Sequence, residues 1–352
     1  MKLFYITNGV TDSLIFMLLV IILAIITVFA WLTITRQMTI PFFYRVVDDG
    51  YWSIGTVCSD NPLVINTNSI SVIDYNIQKS HPNVCFMADP FIVEENGIYY
   101  IFYEYFPYKW RDNGGEIAAL KSTDLKNWES LGVVLDENFH LSYPQIFKIK
   151  DNWYMIPETS KVNEIRLYTT NNFPYDWKYK KSLVKNRKVL DPTLIIKDDI
   201  FYLLGEENKK LCLFFSNNLE GEWQEHPQSP VRQQDTRPGG SPVVLNGKII
   251  YFIQDHTYSY GTGLVSYEID SISPTCFADH RVDIVLWRFG DDWAANGMHQ
   301  LSAIQLSDGS WFCVVDGWQK HGKYYGWDWL NFPKFNLKKN NLLRTHKKVN
   351  LY

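Results

Sequence analysis

Five acidic residues each close one of five similar stretches of the chain, and this arrangement suggests carboxylate chemistry. Each stretch has a short apolar run, a polar turn, a second run rich in Tyr, Phe, Trp and Ile, and then the acid. Carboxylates held close together repel one another, so one keeps its proton to a higher pH and can act as an acid beside a neighbour that acts as a base. Glycoside hydrolysis uses such a pair. The acids are Glu104, Glu158, Glu206, Asp255 and Asp316.

The five stretches are predicted to be β-hairpins that repeat about every 50 residues. Apolar runs of this length, bounded by turn signals, are typical of paired strands. The two ends of a hairpin lie at the same edge of a sheet, so the first residue of each stretch is expected beside its closing acid. The stretches are "DPFIVEENGIYYIFYE" (89–104), "YPQIFKIKDNWYMIPE" (143–158), "DPTLIIKDDIFYLLGE" (191–206), "SPVVLNGKIIYFIQD" (241–255) and "QLSAIQLSDGSWFCVVD" (300–316).

The repeat predicts an all-β fold, a five-bladed β-propeller. In most repeats a second strand pair follows the hairpin, which gives four antiparallel strands at a period typical of a propeller blade. The fifth repeat lacks its outer strands, and the segment from Tyr51 to about Tyr75 is predicted to supply them and close the ring. Three tryptophans that open fourth strands are predicted to pack between blades: Trp128, Trp177 and Trp223.

The inner strands of a propeller run in the same sense around its axis, so their first residues are expected at one mouth of the central channel. These first residues are Asp89, Tyr143, Asp191, Ser241 and Gln300. The basic candidates for the same mouth are Arg166, Arg237, His140, His256 and His299. Clustered carboxylates need protons, cations or substrate hydroxyls between them. We assign no metal or cofactor, and a Ca²⁺ ion held by the carboxylates is a further hypothesis.

The N-terminal residues predict a membrane anchor. Residues 13–35 carry no charge, and at about 1.5 Å per residue they can span a bilayer of roughly 30 Å. A signal peptide is the alternative, but its apolar run would be shorter and followed by a small-residue cleavage site. The predicted organisation is a short tail (1–12), the anchor (13–35), a stem (36–50), the propeller (51–330) and a basic tail (331–352). The net charge of −4 gives no reason to expect nucleic acid as a partner.

The chain contains the motifs "ADPFIV", "GEIAALKSTDLKNW", "HLSYPQIF", "IPETS", "LYTTNNFPYDW", "LDPTLI" and "NGMHQLSA". These motifs resemble the N-terminal domain of plant glucosamine inositolphosphorylceramide transferases and, more distantly, the five-bladed fold of glycoside hydrolase family 43. The resemblance implies a carbohydrate-active role in a secretory compartment. The expected location is that of a single-pass, type II membrane protein of the Golgi or secretory pathway, although the basic residues on the two sides of the anchor are too evenly balanced to determine its orientation. In those transferases the sugar-transfer chemistry is assigned to a downstream domain. In the hydrolases three acids are catalytic; here Asp89 matches the first, Tyr143 replaces the second, and Asp191 stands where the third would be.

The sequence therefore predicts a membrane-anchored protein that acts on a glycan or glycolipid, by glycosyl transfer or glycoside hydrolysis. Asp89 is the candidate base or nucleophile-positioning group, and Glu158 or Asp191 is the candidate acid. The alternative is a non-catalytic glycan-binding or scaffold propeller that partners a separate glycosyltransferase, which the loss of an acid at Tyr143 favours. The candidate substrate-binding residues are Glu104, His140, Arg166, Glu206, Arg237, Asp255, His299 and Asp316.

Overall fold

The computed structural model describes residues 2–36, 43–46, 51–73, 84–107, 114–319 and 324–327. The chain divides into two units, one formed by Met1–Gly50 with His321–Tyr352 and the other by Tyr51–Lys320. The predicted basic tail (331–352) and most of the predicted stem (36–50) lie outside the described residues.

The first unit contains one helix and a small sheet. Helix α1 spans Lys2–Arg36, and strand β1 (Phe43–Val46) pairs antiparallel with strand β22 (Tyr324–Trp327). Within α1, Ser13–Trp31 is long and apolar enough to cross a membrane, and none of it is buried. The predicted apolar helix is therefore present, and its properties fit both a membrane anchor and a signal sequence.

The second unit is the predicted five-bladed propeller, with four antiparallel strands in each blade. Blade 1 contains β4 (Val84–Glu95), β5 (Ile98–Pro107), β6 (Glu116–Ser122) and β7 (Glu129–Leu135). Blade 2 contains β8 (Ser142–Ile149), β9 (Asn152–Glu158), β10 (Glu164–Thr170) and β11 (Lys178–Lys185). Blade 3 contains β12 (Leu190–Lys197), β13 (Ile200–Glu207), β14 (Lys210–Ser216) and β15 (Gln224–Glu225). Blade 4 contains β16 (Val243–Leu245), β17 (Lys248–Asp255), β18 (Gly263–Ile272) and β19 (Phe277–Trp287). Blade 5 contains β20 (Leu301–Gln305), β21 (Trp311–Gln319), β2 (Tyr51–Ser59) and β3 (Ser71–Val72).

Blade 5 joins the two ends of this unit and closes the ring. Strand β2 pairs along its whole length with β21, from Tyr51 opposite Gln319 to Ser59 opposite Trp311. Strand β3 then pairs with β2. The prediction that the segment after Tyr51 completes the last blade is confirmed. Short 3₁₀ turns at Thr67–Ser69 and Ser160–Val162 lie in connections between strands.

The hydrophobic core lies between neighbouring blades. One cluster combines Phe102 and Ile117 of blade 1 with Met155 and Tyr168 of blade 2, and Trp177 is buried within it. Trp128 and Trp223 pack in the same way against two other clusters, which confirms the inter-blade packing of all three tryptophans. Each sheet thus buries both faces against its neighbours, which a single four-stranded sheet could not do.

The inner strands of the first three blades contain the same local distortion. Asp89, Tyr143 and Asp191 have φ of 51°, 48° and 47°, and each precedes a proline. The pairing register shifts at these positions, as in a β-bulge. The left-handed conformation is uncommon for a residue other than glycine and costs free energy, and such strain is often found at functional sites.

Candidate functional site

In blades 1 to 3, the two ends of each hairpin meet at one edge of the blade, as the sequence predicts. Glu104 lies opposite Ala88, Glu158 opposite Ser142, and Glu206 opposite Leu190. The acids that end the second strands therefore stand next to the residues that open the inner strands. We call this edge of the propeller the mouth.

A cluster of two acids and one histidine joins blade 5 to blade 1. His299 Nδ1 lies 2.7 Å from Asp316 Oδ2 and 3.9 Å from Asp89 Oδ1. Asp316 also accepts hydrogen bonds from the backbone N–H groups of His299 and Gln300, both at 3.0 Å, and from that of Asp89 at 3.2 Å. Asp316 is fully buried, so its carboxylate acts as a fixed anchor for both His299 and Asp89.

A second cluster joins blades 2, 3 and 4 around Arg237. Its Nε donates to Asp191 Oδ2 at 2.6 Å, and one of its terminal nitrogens lies 3.8 Å from Glu158 Oε2. Gln254 Nε2 also donates to Asp191 Oδ2, at 2.8 Å. The Asp191 side chain is only 2% exposed, whereas Glu158 keeps 7% of its side chain exposed. Asp191 is therefore occupied as the partner of Arg237, and Glu158 is the more accessible acid.

Glu104 and His140 form a third group. His140 accepts a hydrogen bond from the backbone N–H of Gly115 at Nδ1, at 2.8 Å, and its Nε2 lies 3.6 Å from Glu104 Oε1. A neutral imidazole that accepts at Nδ1 carries its proton on Nε2, which here faces the carboxyl group. A Cβ atom on Gly115 would lie 2.7 Å from Glu104 Oε1, so this approach requires glycine.

Burial and mutual repulsion shift the pKa values of the acids. Burial raises the pKa of Asp89 to about 7, with His299 opposing the rise and Asp191 and Asp316 adding to it. Burial, followed by repulsion from Asp89 and Glu158, raises the pKa of Glu104 well above its usual range. Burial also raises the pKa of Asp191 to about 6, against the opposing charge of Arg237. The mouth therefore contains carboxyl groups that keep protons close to neutral pH.

The histidines of the mouth are shifted in opposite directions. Burial lowers the pKa of His140 to about 4, and the positive charges of Lys161 and Arg237 add to this. Burial acts on His299 in the same sense, but the carboxylates of Asp316 and Asp89 outweigh it and raise the pKa of His299. His299 is thus the cationic partner of its two acids, whereas His140 is a neutral hydrogen-bonding group.

The remaining predicted site residues are Glu206, Asp255 and Arg166, and they differ in their contacts. Glu206 accepts a hydrogen bond from Thr236 Oγ1 at 2.6 Å, next to Arg237. Asp255 accepts the backbone N–H of Thr257 at 2.7 Å and so supports the loop that follows β17. Arg166 forms an ion pair with Glu164 at 2.7 Å, and its guanidinium lies over the rings of Phe139 and Tyr179. The recorded contacts of Arg166 are thus with these neighbours rather than with the acids of the mouth.

In blade 4, the residue that lies at the level of the acids of the earlier blades is one position before the residue that the sequence spacing indicates. Gln254 is six residues after the hairpin-end residue Lys248, as Glu104 is after Ile98, so Gln254 rather than Asp255 matches the acids of the earlier blades. Arg237 pairs with it, since the Gln254 N–H donates to the Arg237 carbonyl at 2.8 Å. Ser241, which the sequence predicts at the mouth, instead lies deeper in the propeller. Its Oγ atom is 3.0 Å from Ser302 Oγ.

Two of the residues that the sequence predicts at the mouth, Tyr143 and Gln300, have side-chain contacts that the sequence could not indicate. Tyr143 is fully buried, and its hydroxyl group accepts the N–H of Gly240 at 2.7 Å and lies 2.8 Å from Thr193 Oγ1. It therefore links blades 2, 3 and 4 near the axis. The amide group of Gln300 is also fully buried but has no hydrogen-bond partner among the described residues. Such a group favours a bound water or ligand.

One group of residues at the mouth has the spacing of a metal site. The ligand atoms of Asp89, His299 and Asp316 all lie within 4.8 Å of one another. His299 is already in an ion pair with Asp316 and its pKa is raised, so a proton fulfils the charge-balancing role that a metal ion would otherwise have. A metal would have to displace this proton, and the absence of a metal stays a prediction.

The fold is that of the five-bladed propellers found among glycoside hydrolases. A putative glycoside hydrolase from Parabacteroides distasonis matches with a TM-score of 0.52 and 13% identity over 67% of this chain and 87% of that chain. At this identity the similarity shows the fold alone. The clustered carboxylates at one mouth are an independent observation on this chain.

The sequence relationship is more specific. Residues 65–318 match the family described as "Glucosamine inositolphosphorylceramide transferase 1, N-terminal", and the chain belongs to this family. The rice (Oryza sativa subsp. japonica) glucosamine inositolphosphorylceramide transferase 1 is 31% identical over 66% of this chain and 33% of its own length. The Arabidopsis thaliana protein of the same name is 28% identical over 78% of this chain and 40% of its own length. The match thus spans well under half of these relatives.

Proposed function

We propose that the mouth of the propeller binds a glycan, or the carbohydrate head of a glycolipid, and acts on a glycosidic bond there by transfer or hydrolysis. The observation that supports this most is the convergence of partly accessible carboxyl groups with raised pKa values beside Arg237 and two histidines. Carboxyl pairs of this kind supply the acid and the base of glycosidic chemistry. The name of the curated relatives, which includes glucosamine and inositolphosphorylceramide, supports a glycolipid.

The roles follow from accessibility and charge. Asp89 keeps 9% of its side chain exposed and has a pKa of about 7, which suits a general base that works near neutral pH. Glu158, with 7% of its side chain exposed, is the less deeply buried acid beside Arg237, and Glu104, whose pKa burial raises well above its usual range, is a second candidate donor. Asp191 positions Arg237, and Arg237 would contact hydroxyl groups or an anionic group of the ligand.

The alternative, a non-catalytic glycan-binding propeller that serves a partner glycosyltransferase, has one specific observation in its favour. Tyr143, in the place of an acid, is fully buried and hydrogen-bonded to Gly240 and Thr193. One of three expected acids is thus replaced by a structural group. We propose the partner only within this alternative.

The test uses the full chain in detergent. Glucosamine, N-acetylglucosamine, myo-inositol, aryl glycosides, nucleotide sugars and inositolphosphorylceramide micelles are screened for binding and turnover. Turnover that disappears in Asp89→Asn and Glu158→Gln supports the enzyme. Binding without turnover, weakened by the same changes, supports the binding module.

Control variants come from surface acids of blades 1 and 5. Glu129 is 70% exposed and pairs with Lys121, and Asp308 lies in an exposed turn of blade 5. Glu129→Gln and Asp308→Asn should bind and react as the unchanged protein does. If no carbohydrate in the panel binds, or if the control variants lose as much as the mouth variants, the proposal is wrong.

We further propose that α1 anchors the protein to a membrane of the secretory pathway, so that the mouth meets a glycolipid. The support is the uncharged span Ser13–Trp31. N-terminal sequencing of the protein purified from cells distinguishes the two possibilities: an intact helix in the carbonate-resistant membrane fraction supports an anchor, and a mature start after Trp31 shows a cleaved signal.

A further inference from the structure

Five aromatic side chains stand on the side of the mouth that blades 4 and 5 form. They come from the start of β2, the end of β21, the loop after β17 and the end of β19, all at the edge where Asp316 lies. None of them belongs to the acid clusters. We call them the aromatic wall: Trp52, Trp318, Tyr258, Tyr260 and Trp287.

The aromatic wall is continuous with the acid clusters. The ring of Trp52 stacks on that of His299, with centroids 3.9 Å apart and planes 18° apart. The ring of Tyr260 meets His299 edge-on at 5.4 Å, and the Arg237 guanidinium lies 5.3 Å from the Tyr260 ring. A ligand held by the acids would therefore reach the aromatic rings without crossing other surface.

The outer part of the wall is open to solvent. Tyr258 is 71% exposed, and its ring stands edge-on to Trp287 at a centroid distance of 6.0 Å. The exposed guanidinium of Arg288 lies 5.7 Å from the Tyr258 ring. An exposed aromatic ring flanked by a donor-rich cation offers both a face for C–H groups and donors for hydroxyl groups.

The charge next to the wall argues for a sugar rather than a membrane surface. Asp291 and Asp292 are both exposed in the same loop as Arg288, and they would repel anionic lipid head groups. Within residues 256–262 and 287–297 there is no Leu, Ile or Val, whereas a surface that inserts into lipid presents aliphatic as well as aromatic side chains. Aromatic rings beside polar groups suit a sugar ring, which has an apolar face and a hydroxylated rim.

We propose that the aromatic wall is a stacking subsite for a sugar ring of the ligand, adjacent to the position where the acids act. Tyr258 provides the exposed ring, Trp52 and Tyr260 hold the inner boundary, and Arg288 donates to hydroxyl groups. This inference rests on the proposed carbohydrate ligand and adds which side of the mouth holds the sugar that is not attacked.

The test measures sugar binding by the full chain in detergent, with saturation-transfer NMR and titration of tryptophan fluorescence. The probes are methyl α-D-glucosaminide, N-acetylglucosamine and myo-inositol. Tyr258→Ala and Arg288→Gln are expected to weaken binding by about 3- to 10-fold, the range for one aromatic contact. Trp52→Phe, which keeps a ring on His299, should weaken it less.

Tyr175→Ala is the matched control. Tyr175 is 39% exposed, and it lies in the loop after β10, at the opposite end of its blade from the mouth. Its removal should leave binding unchanged. Saturation transfer to carbon-bound sugar protons that falls in Tyr258→Ala but not in Tyr175→Ala supports the subsite.

Other outcomes separate this inference from the proposed function. Binding that Asp89→Asn weakens, but Tyr258→Ala and Arg288→Gln leave unchanged, overturns the subsite and leaves the proposed function standing. No binding of any probe overturns both. Sedimentation with phosphatidylserine vesicles that Tyr258→Ala abolishes, with unchanged sugar binding, shows that the wall contacts membrane instead.

Discussion

The two sides of the mouth are built differently. Blades 1 to 3 supply acids from a repeated hairpin, and each inner strand contains a residue in the left-handed conformation before a proline. Blades 4 and 5 supply the rings of the aromatic wall, mostly from loops and outer strands, together with Arg237, His299 and Asp316, and their inner strands lack this repeat. Most of the acids thus come from the repeated hairpins, whereas the aromatic rings come from segments that depart from the repeat.

Blades that share no strand are joined near the mouth at two places, one electrostatic and one steric. Arg237 links them by its ion pair with Asp191 and its contact with the Tyr260 ring. Nearer the axis, Gly239 and Gly240 approach blade 5 so closely that the Gly239 carbonyl accepts the N–H of Leu301 at 3.0 Å. Changes at these two joins should have the largest effects on the fold, because each join holds blades together that share no strand.

The largest expected effect is that of Arg237→Met. Without the guanidinium, the almost fully buried carboxylate of Asp191 and the neighbouring Glu158 lose their counter-charge. Removal of one partner from a buried ion pair costs about 3–5 kcal/mol, and we expect a loss of this size in the free energy of unfolding. Urea unfolding of the full chain, followed by tryptophan fluorescence, measures it.

The control for Arg237 is Arg187→Met, in a network on the outer part of blade 3. Arg187 pairs with Glu207 and Glu225, and its side chain is 29% exposed. Its loss should cost about 1 kcal/mol. Equal losses in the two variants would show that the charge at the join is no better shielded from water than charge on the surface.

The second effect is that of Gly240→Ala at the steric join. Gly240 has φ of 140°, and a Cβ atom there would lie 1.7 Å from the Leu301 carbonyl oxygen. The backbone of blade 4 or blade 5 must move, and we expect a loss of about 2–3 kcal/mol in the same unfolding measurement. In Gly247→Ala the new Cβ meets nothing within 4 Å but φ is 77°, so only the strain of about 1 kcal/mol should appear.

The acidic side could be predicted from the sequence because hairpin geometry alone determines it. Once two runs of strand type flank a turn, the first and last residues of the unit lie at one edge, which placed Asp89 beside Glu104 and Asp191 beside Glu206. Closure of the ring followed from a missing strand pair in the fifth repeat. Both inferences need only local patterns and a count.

The rest depended on contacts between residues far apart in the chain. An extra stretch in the inner strand of blade 4 moves Arg237 to the level where Ser241 was expected, and no local signal marks this. A register shift at Arg166 sets its side chain against Phe139 and Tyr179. The stacking of Trp52 on His299 joins residues at the two ends of the unit, so only the closed ring reveals it.

The third expected effect is a pH dependence of the free energy of unfolding, which the acids should cause and the aromatic wall should not. The pKa of Asp89 rises from 3.8 to about 7 on folding, so between these values the folded protein holds a proton that the unfolded chain has released. Stability therefore falls as pH rises through this window, by at most about 1.4 kcal/mol per pH unit for one group. Glu104 and Asp191 add to the fall with the same sign.

Asp89→Asn should flatten part of this fall between pH 4 and 6, as measured by urea midpoints at half-unit intervals of pH. The control, Tyr258→Phe, removes a hydroxyl group from the aromatic wall and should leave the slope unchanged. A slope that is the same in Asp89→Asn and the unchanged protein would mean that Asp89 is ionised in the folded state throughout the window.

The smallest expected effect is a change in the pKa of His299, whose imidazole contacts both the acids and the aromatic wall. Burial lowers the pKa of His299, but the carboxylates of Asp316 and Asp89 together raise it above its ordinary value. Trp52 covers one face of the ring at 3.9 Å, so the aromatic wall contributes to the burial and the cluster of Asp316 and Asp89 supplies the charge. Asp316→Asn should therefore lower the pKa of His299, and Trp52→Ala should raise it, because water then reaches the cation.

Two-dimensional NMR of the imidazole groups during a pH titration measures both shifts, with His299→Gln used to assign the signal. Trp52→Phe serves as the control, since it keeps a ring over the imidazole and should move the pKa less than Trp52→Ala does. Shifts of the same sign in Asp316→Asn and Trp52→Ala would contradict the division of the mouth, because they would show that Trp52 supports the ion pair rather than excluding water from it. Shifts of opposite sign would show that the acids raise the pKa of His299 and that the aromatic wall lowers it.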